Sequence, residues 1–248
     1  MTTFKDHFSS HAAGYAAYRP SYPAELGAWL ASIAPTKGTA LDAGCGSGQL
    51  SLLLAEDFDR VVAIDPSARQ IDSAAPHPRI DYRVAPAEAS GLADASIDLL
   101  TVAQAAHWFD LPAFFAEARR LLRHGGAIVL ISYAAMEPRG AIEAIVERFR
   151  LRTLAGFWPL ERAMVENGYR KIALPFAPID APSFAIEVEW TLDALVGYLD
   201  TWSAVRAMEQ DIGRGPFDAV AADLKQAWGD PGAARTISWP LTILAGRS

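Results

Sequence analysis

A glycine-rich turn at residues 41–49, Leu-Asp-Ala-Gly-Cys-Gly-Ser-Gly-Gln, most constrains what this chain can fold into. It lies directly between a short apolar strand and a helical run. Its glycines let the backbone turn tightly and approach a ligand, because no Cβ intervenes. The spacing excludes a phosphate-binding P-loop, which needs a lysine, and a nucleophile elbow, which needs a central serine. It also lacks the spaced third glycine of a dinucleotide fingerprint.

Short apolar strands alternate with amphipathic helices around this turn. We predict strands at 39–42, 60–65, 80–85, 97–103 and 127–133 and helices at 23–33, 49–56, 67–75 and 111–122. Gly125 and Gly126 are expected to end the last of these helices. The alternation indicates an α/β fold with a parallel sheet and helices on both faces.

The pattern changes after Tyr133. We predict one more helix over 142–149, an irregular proline-rich stretch at 159–182, a strand at 184–190 and helices at 192–208 and 217–228. A last strand would carry 237–243, with Pro240 near its start or at a bulge. The two late strands predict a hairpin-type pair with a helical cover inserted between them. The chain is then one domain with three parts: a helical lid segment (1–37), a ligand-binding core (38–135) and a C-terminal part that completes the sheet (136–248).

The composition limits the kinds of molecule that this protein is expected to bind. The 248 residues carry a net charge of −7, and the pI is about 5.2, which argues against nucleic acid. The single cysteine, Cys45, excludes an internal disulfide and a paired-thiolate zinc site. The histidines lack metal-ligand spacing, so we expect no metal. The N-terminal residues do not resemble a secretory signal, and no run of 18 apolar residues occurs. We expect a cytoplasmic protein that does not enter a membrane.

An acidic residue, Asp65, ends the second predicted strand. Its carboxylate can accept two hydrogen bonds from a ribose diol at the C-terminal edge of a parallel sheet. The alternative is a tight strand–helix turn with a surface aspartate.

The turn and Asp65 together closely resemble motif I of the class I methyltransferases, in the branch that includes the ubiquinone-pathway and trans-aconitate enzymes. The resemblance covers residues 38–133. It implies a Rossmann-like, seven-stranded, mostly parallel sheet with an antiparallel C-terminal strand. It also implies S-adenosylmethionine as cofactor and S-adenosylhomocysteine as product. The motif residues that it assigns to the cofactor are Asp42, Gly44, Gly46, Gly48, Gln49, Asp65 and Pro66.

The same resemblance extends to two later segments. Pro86 stands where many relatives carry the aspartate that binds the adenine amine, so the backbone around Ala87 or the side chain of Glu88 would replace it. Glu88 is otherwise a solvated glutamate at a helix start. After the fourth strand, the backbone of Ala103 would meet the methionine end of the cofactor, with Gln104 beside it.

The remaining candidates face the acceptor or close the site. His107 and Trp108 follow the fourth strand, and His107 is either a general base or a packing residue. Tyr18 and Arg19 would close over the methionine carboxylate, or else belong to an aromatic cluster that caps a helix. Trp202 is one of several C-terminal tryptophans whose density favours a partly apolar pocket for a small molecule.

The predicted function is methyl transfer from S-adenosylmethionine to a small-molecule acceptor, most readily an oxygen and possibly a carboxylate. No evident acid–base pair is needed, because positioning alone can supply roughly 7–11 kcal/mol. Two other functions stay open: a methyltransferase acting on a protein or tRNA, and a regulatory protein that binds S-adenosylmethionine without turnover. The chain is expected to act as a monomer or homodimer.

Overall fold

The structure is a computed structural model that describes residues 21–137 and 140–248. Tyr18 and Arg19 lie outside the described residues. The first half contains helices α1 (Ala24–Ile33), α2 (Gln49–Ala55), α3 (Ala68–Asp72) and α4 (Leu111–Leu121) and strands β1 (Thr39–Ala43), β2 (Arg60–Asp65), β3 (Ile80–Val84), β4 (Ile97–Ala103) and β5 (Leu122–Ser132).

The C-terminal half adds helices and four strands. The helices are α5 (Ala141–Arg148), continued by a π-helical turn (Phe149–Thr153), α6 (Arg162–Glu166), α7 (Leu192–Asp200), α8 (Ser203–Ile212) and α9 (Gly215–Trp228). The strands are β6 (Ala177–Ile179), β7 (Ala185–Trp190), β8 (Arg235–Pro240) and β9 (Thr242–Arg247). Among the described residues, no helix is long and apolar enough to cross a membrane.

Seven strands form the main sheet in the order β3-β2-β1-β4-β5-β9-β6. Strands β1 to β5 pair in parallel, and β9 runs antiparallel to both β5 and β6. The chain order reverses between β1 and β4, and parallel sheets bind ligands beyond the strand C-termini at such a point. The expected seven-stranded, mostly parallel sheet with an antiparallel C-terminal strand is confirmed.

The end of α4 differs from the prediction. The helix stops at Leu121, and β5 begins at once at Leu122, so Gly125 and Gly126 lie within a strand. The pairing shifts from Ile97↔Leu122 to Leu99↔Ala127 across these glycines, as at a β-bulge. The two glycines lie at an irregularity within a strand. In the sequence alone, such a pair cannot be distinguished from glycines that end a helix.

The predicted last strand is in fact two strands. Pro240 ends β8, which pairs with β7 in a separate two-stranded sheet, while β9 enters the main sheet. The predicted pairing of two late strands around a helical cover therefore holds for β7 and β8. The predicted helix over 192–208 is divided between α7 and α8.

The proline-rich stretch is less irregular than predicted. It contains the short helix α6 and the strand β6, which pairs with β9 at the edge of the main sheet. Pro178 is tolerated in β6 because an edge strand has a backbone side that needs no pairing. The prediction missed β6 because its three residues carry no alternation.

Candidate cofactor site and acceptor cleft

The glycine-rich turn is held against the end of β2. The backbone N–H groups of Gly44 and Cys45 both donate to the carbonyl of Ile64, at 2.8 and 3.0 Å. Gly44, Gly46 and Gly48 have φ angles of +70°, +55° and +85°. This left-handed region favours glycine, and here the turn uses it three times.

Close packing adds a second reason for glycine at two of these positions. A Cβ at Gly44 would lie 2.5 Å from the Cβ of Ala105, in the loop after β4. A Cβ at Gly48 would overlap the hydroxyl of Tyr82, which reaches the turn from β3. The turn is therefore clamped between the ends of three neighbouring strands.

Asp65 supports the same turn from β2. One carboxylate oxygen accepts from the backbone N–H of Gly46 at 3.0 Å, and the other accepts from that of Ser67 at 2.8 Å. Ser67 caps α3, and Pro66 lies between the two residues. Each carboxylate oxygen can accept more than one hydrogen bond, so the pair is compatible with a ribose diol. The ribose contact stays a prediction.

Asp42 has a different environment. It is 1% exposed, and its carboxylate accepts from the hydroxyls of Ser51 at 2.7 Å and Thr101 at 3.2 Å. Burial raises the pKa of Asp42 to about 6, although the two hydroxyls act in the opposite direction. These contacts connect β1 to α2 and β4 and hold the start of the turn, and a contact of Asp42 with the cofactor stays a prediction.

Three buried polar atoms near this edge have no hydrogen-bond partner: Oε1 of Gln70, the hydroxyl of Tyr82 and Oε1 of Gln104. Gln70 is 6% exposed, and its Oε1 lies 3.9 Å from where a Cβ at Gly46 would be. A buried acceptor without a donor costs free energy unless a ligand supplies one. S-adenosylmethionine carries N–H and O–H donors on its ammonium, ribose and adenine groups, so the orphaned atoms fit this cofactor.

The cofactor edge is formed by the C-terminal ends of β1, β2 and β4 together with the glycine-rich turn, and Gln104 links this edge to β5. Gln104 adopts φ +55°, and its Nε2 donates to the carbonyl of Tyr133 at 2.7 Å. The amide therefore bridges the ends of β4 and β5, with Ala103 as the last residue of β4. Gln49, at the start of α2, lies at the same edge.

The segment after β3 is an irregular loop. Ala87 is buried, and Glu88 Oε1 accepts from the backbone N–H of Asp110, the residue that caps α4, at 2.9 Å. Glu88 lies in a turn and does not start a helix. Its carboxylate connects the loops after β3 and β4, which both border the predicted adenine position.

His107 lies in a 3₁₀ turn (Ala106–Trp108) after β4. Its Nδ1 is 3.0 Å from the hydroxyl of Tyr169, and its ring is 4.8 Å from that of Trp108. Burial, and to a lesser degree the positive charge of Arg162, lower the pKa of His107 to about 3. The imidazole is therefore neutral at physiological pH.

A narrow cleft lies beside the end of β5, with a free volume of about 10 Å³, the space of about one water molecule. Its lining residues come from the segment after β5, from α5 and from the two-stranded sheet and its cover: Ala134, Ala135, Met136, Glu143, Val146, Glu147, Arg150, Trp202 and Trp239. Since Gln104 holds the carbonyl of Tyr133, the cleft adjoins the cofactor edge directly. Trp202 lies in this cleft, whereas Trp108 packs beside His107.

The charges in the cleft are paired around Arg150, which is 7% exposed. Its Nε and Nη2 donate to Glu147 at 2.9 and 2.7 Å, and its Nη1 binds Glu166. Glu166 also pairs with Arg162. Arg150 therefore brings no uncompensated positive charge to the cleft.

The sequence analysis missed Gln70, Tyr82 and Tyr169. A polar residue on the buried face of a short helix, five positions after Asp65, was a usable signal for Gln70. Tyr82 and Tyr169 carry no such signal, because each reaches the site only through the fold. Among residues 21–137 and 140–248, no three histidine, cysteine or acidic side chains are grouped to hold a metal ion.

Comparison with known proteins agrees with this geometry. A family model described as a methyltransferase domain matches residues 41–130. A Dictyostelium discoideum protein classed as a methyltransferase is 35% identical over 210 residues, which are 83% of this chain and 80% of that protein. A solved type II methyltransferase from Anaeromyxobacter dehalogenans is 47% identical, with a TM-score of 0.88, over 93% of this chain and 98% of that one.

A more distant relative is the malonyl-[acyl-carrier protein] O-methyltransferase of Serratia marcescens, 37% identical over 101 residues, which are 38% of either chain. The first two relatives match 83% and 93% of this chain, well beyond the glycine-rich turn. The chain belongs to the class I S-adenosylmethionine-dependent methyltransferases.

Proposed function

We propose that this protein transfers the methyl group of S-adenosylmethionine to an oxygen of a small molecule bound beside the end of β5. The observation that carries this proposal is the contact between Gln104 and Tyr133. It makes the cofactor edge and the aromatic-walled cleft neighbours, so an acceptor that enters by widening this narrow cleft would meet the methyl group there.

On the donor side, Asp65 and Gln70 would accept from the ribose, and Gln104 would accept from the ammonium group. The backbone of Gly44, Gly46 and Ala103 would line the methionine part. Bound S-adenosylmethionine supplies an electrophilic methyl group on a sulfonium. The protein's contribution is alignment, which can be worth roughly 7–11 kcal/mol.

On the acceptor side, the proposed group is an oxygen that is already ionised at neutral pH, with a carboxylate as the first candidate. Burial lowers the pKa of His107, and its Nδ1 is already in contact with the hydroxyl of Tyr169, so this side chain is poorly suited to take a proton from a hydroxyl. A carboxylate needs no base: its oxygen bonds to the methyl carbon, the carbon–sulfur bond breaks, and the electron pair stays on sulfur. The Serratia relative, named as an O-methyltransferase, supports an oxygen acceptor.

The position of such a carboxylate follows from the charges. Glu143 repels an anion at the α5 side of the cleft, where the charge of Glu147 is paired with Arg150. Arg162 stacks over the ring of Trp158, which packs against Trp202, and its positive charge acts on His107. The carboxylate would therefore be bound beside Arg162 and His107, and the apolar part of the molecule would lie against Trp202.

The test combines binding and turnover. Isothermal titration should show binding of S-adenosylhomocysteine and none of NADH. Release of S-adenosylhomocysteine should then be measured with pairs of small molecules that differ only in a carboxylic acid or its amide. We expect turnover with an acid and none with the matching amide. Turnover with amines or neutral alcohols alone would contradict the acceptor class, and absence of cofactor binding would contradict the whole proposal.

A further inference from the structure

We propose that Tyr169 is a positioning residue that fixes His107 in the Nε2–H tautomer, so that the imidazole donates a hydrogen bond to the acceptor and removes no proton from it. The nature of the acceptor rests on the proposed function above. The tautomer of His107 does not depend on that proposed function, because it is a property of the free protein.

The hydrogen bonds around the phenol determine which atom donates. Tyr169 is 1% exposed, and its oxygen lies 3.0 Å from Nδ1 of His107. Among the described residues, Nδ1 of His107 is the hydrogen-bond partner of this buried hydroxyl, and no second acceptor lies within reach of its hydrogen. A phenol oxygen has one hydrogen to give, and a buried donor without an acceptor is costly, so that hydrogen goes to Nδ1.

The state of the imidazole follows from this contact. If Nδ1 accepts from Tyr169, the ring proton of the neutral imidazole must be on Nε2. Protonation of Nδ1 would place two N–H or O–H donors against each other in a buried space. Arg162, from α6, adds a positive charge that also disfavours the imidazolium, and Glu166 compensates this charge only partly because it binds Arg150 as well.

The backbone holds the phenol in place from both sides. Gly168 and Tyr169 adopt φ angles of +58° and +55°, two successive left-handed residues after α6. Tyr169 N donates to the carbonyl of Met164 at 3.0 Å, and its own carbonyl accepts from Ile172 at 2.8 Å. A Cβ at Gly168 would lie 2.9 Å from Oγ1 of Thr242, so β9 supports the turn. Strained conformations persist at sites where the surrounding structure over-determines them.

The first experiment measures the tautomer directly. Protein labelled with ¹⁵N-histidine is examined by long-range ¹H–¹⁵N correlation, and the His107 signals are assigned by their absence from His107→Gln. We expect a protonated-type shift for Nε2, an unprotonated-type shift for Nδ1, and no titration between pH 5 and pH 8. A protonated Nδ1, or titration in this range, would overturn the proposal whatever the enzyme methylates.

A matched pair of tyrosine variants tests the cause. Tyr169→Phe should change the Nδ1 shift and mix the tautomers, because the donor is gone. Tyr198→Phe removes a hydroxyl from another buried ring, which packs against Trp190, Trp202 and Trp239, and should leave the His107 signals unchanged. Unchanged signals in folded Tyr169→Phe would remove Tyr169 from the proposal.

Kinetic measurements then distinguish a hydrogen-bond donor from a general base at position 107. Glutamine can donate from a position similar to Nε2, but it cannot accept a proton. We expect His107→Gln to keep kcat/KM within about threefold, and His107→Phe to lower it by about three- to tenfold, mainly through KM. A loss of about 10²–10⁴-fold in kcat for both variants, with unchanged cofactor binding, would show a general base and contradict the proposal.

Discussion

The cofactor edge and the aromatic cover are built on different physical principles. At the edge, the glycine-rich turn is shaped by three left-handed glycines and by hydrogen bonds to Ile64 and Asp65. In the cover, the rings of Trp190, Tyr198 and Trp239 pack against one another with centroids 5.3–5.4 Å apart. The edge depends on backbone conformation and polar groups, and the cover depends on apolar contact.

This difference explains why the residue types are restricted in the glycine-rich turn and much less so in the aromatic cover. Glycine is favoured by the left-handed backbone at three positions of the turn, and close packing excludes a Cβ at Gly44 and Gly48, so the spacing of these residues is restricted. A packed aromatic cluster can be built from many combinations of rings and aliphatic side chains of similar volume. We therefore expect substitutions in the cover to act on stability and on acceptor binding and to spare the cofactor. Substitutions at the edge should act on cofactor binding, and on stability where the turn is tightly packed.

The largest expected effect is in the cover. Trp239 is 1% exposed and contacts both Trp190 and Tyr198, so Trp239→Ala should lower the free energy of unfolding by about 3–5 kcal/mol. Denaturant unfolding measures this, and titration below the unfolding range should show unchanged affinity for S-adenosylhomocysteine. Trp239→Phe should give a smaller loss. A strong loss of cofactor affinity in the folded variant would show that the two regions are not separable.

The next effect is at the turn. Gly48→Ala places a Cβ at φ +85° against Tyr82, and we expect it to lower the free energy of unfolding by about 2–4 kcal/mol. Gly91→Ala is the matched control, because Gly91 has φ +72° but open space around it. It should cost only about 1 kcal/mol. Equal losses would mean that Tyr82 does not clamp the turn.

A third prediction concerns Asp65. Asp65→Ala removes the carboxylate proposed to bind the ribose, and donor affinity should fall at least about tenfold. Asp81 offers a control on the neighbouring strand, since its carboxylate pairs with Arg60 and Arg83 away from the turn. Asp81→Ala should leave affinity unchanged in isothermal titration. Similar affinities for the two variants would show that Asp65 only supports the backbone.

The smallest expected effects are those of Gln70→Leu, which should not lower stability but should weaken cofactor binding. Gln70→Leu removes a buried Oε1 that has no partner, so the free protein should be as stable as the parent or slightly more stable. If the cofactor supplies the missing donor, its affinity should fall by about three- to tenfold. Gln226→Leu, on the exposed face of α9, controls for surface hydrophobicity. Lower stability with unchanged affinity would exclude Gln70 from the cofactor site.

Several elements were predictable because local chemistry specifies them. The strands over 60–65 and 97–103 were predicted with the bounds that the structure shows, since each is an apolar run between clear turn residues. Ser67 caps α3, and Asp110 caps α4 through its side chain. The glycine-rich turn was recognised because its backbone conformation restricts the residue type.

Other elements depended on distant residues. The run 237–243 alternates without interruption, yet Pro240 and the N–H of Leu241, which donates to Phe184, divide it between two sheets. The edge strand β6 is too short to show a period. Which sheet a strand joins depends on partners far away in sequence, and alternation only shows that one of its faces is buried.

The sequence by itself determined the sheet class, the glycine-rich turn and Asp65, because each follows from backbone conformation and from residues close together in the chain. Only the tertiary structure decided what those residues face. In the folded chain, the carboxylate of Asp42 accepts hydrogen bonds from Ser51 and Thr101, and the buried Oε1 of Gln70 has no partner beside Gly46. Tyr169 contacts His107 although the two residues are 62 positions apart. Burial and long-range hydrogen bonds set the protonation state of a side chain, and neither can be read from its neighbours in sequence.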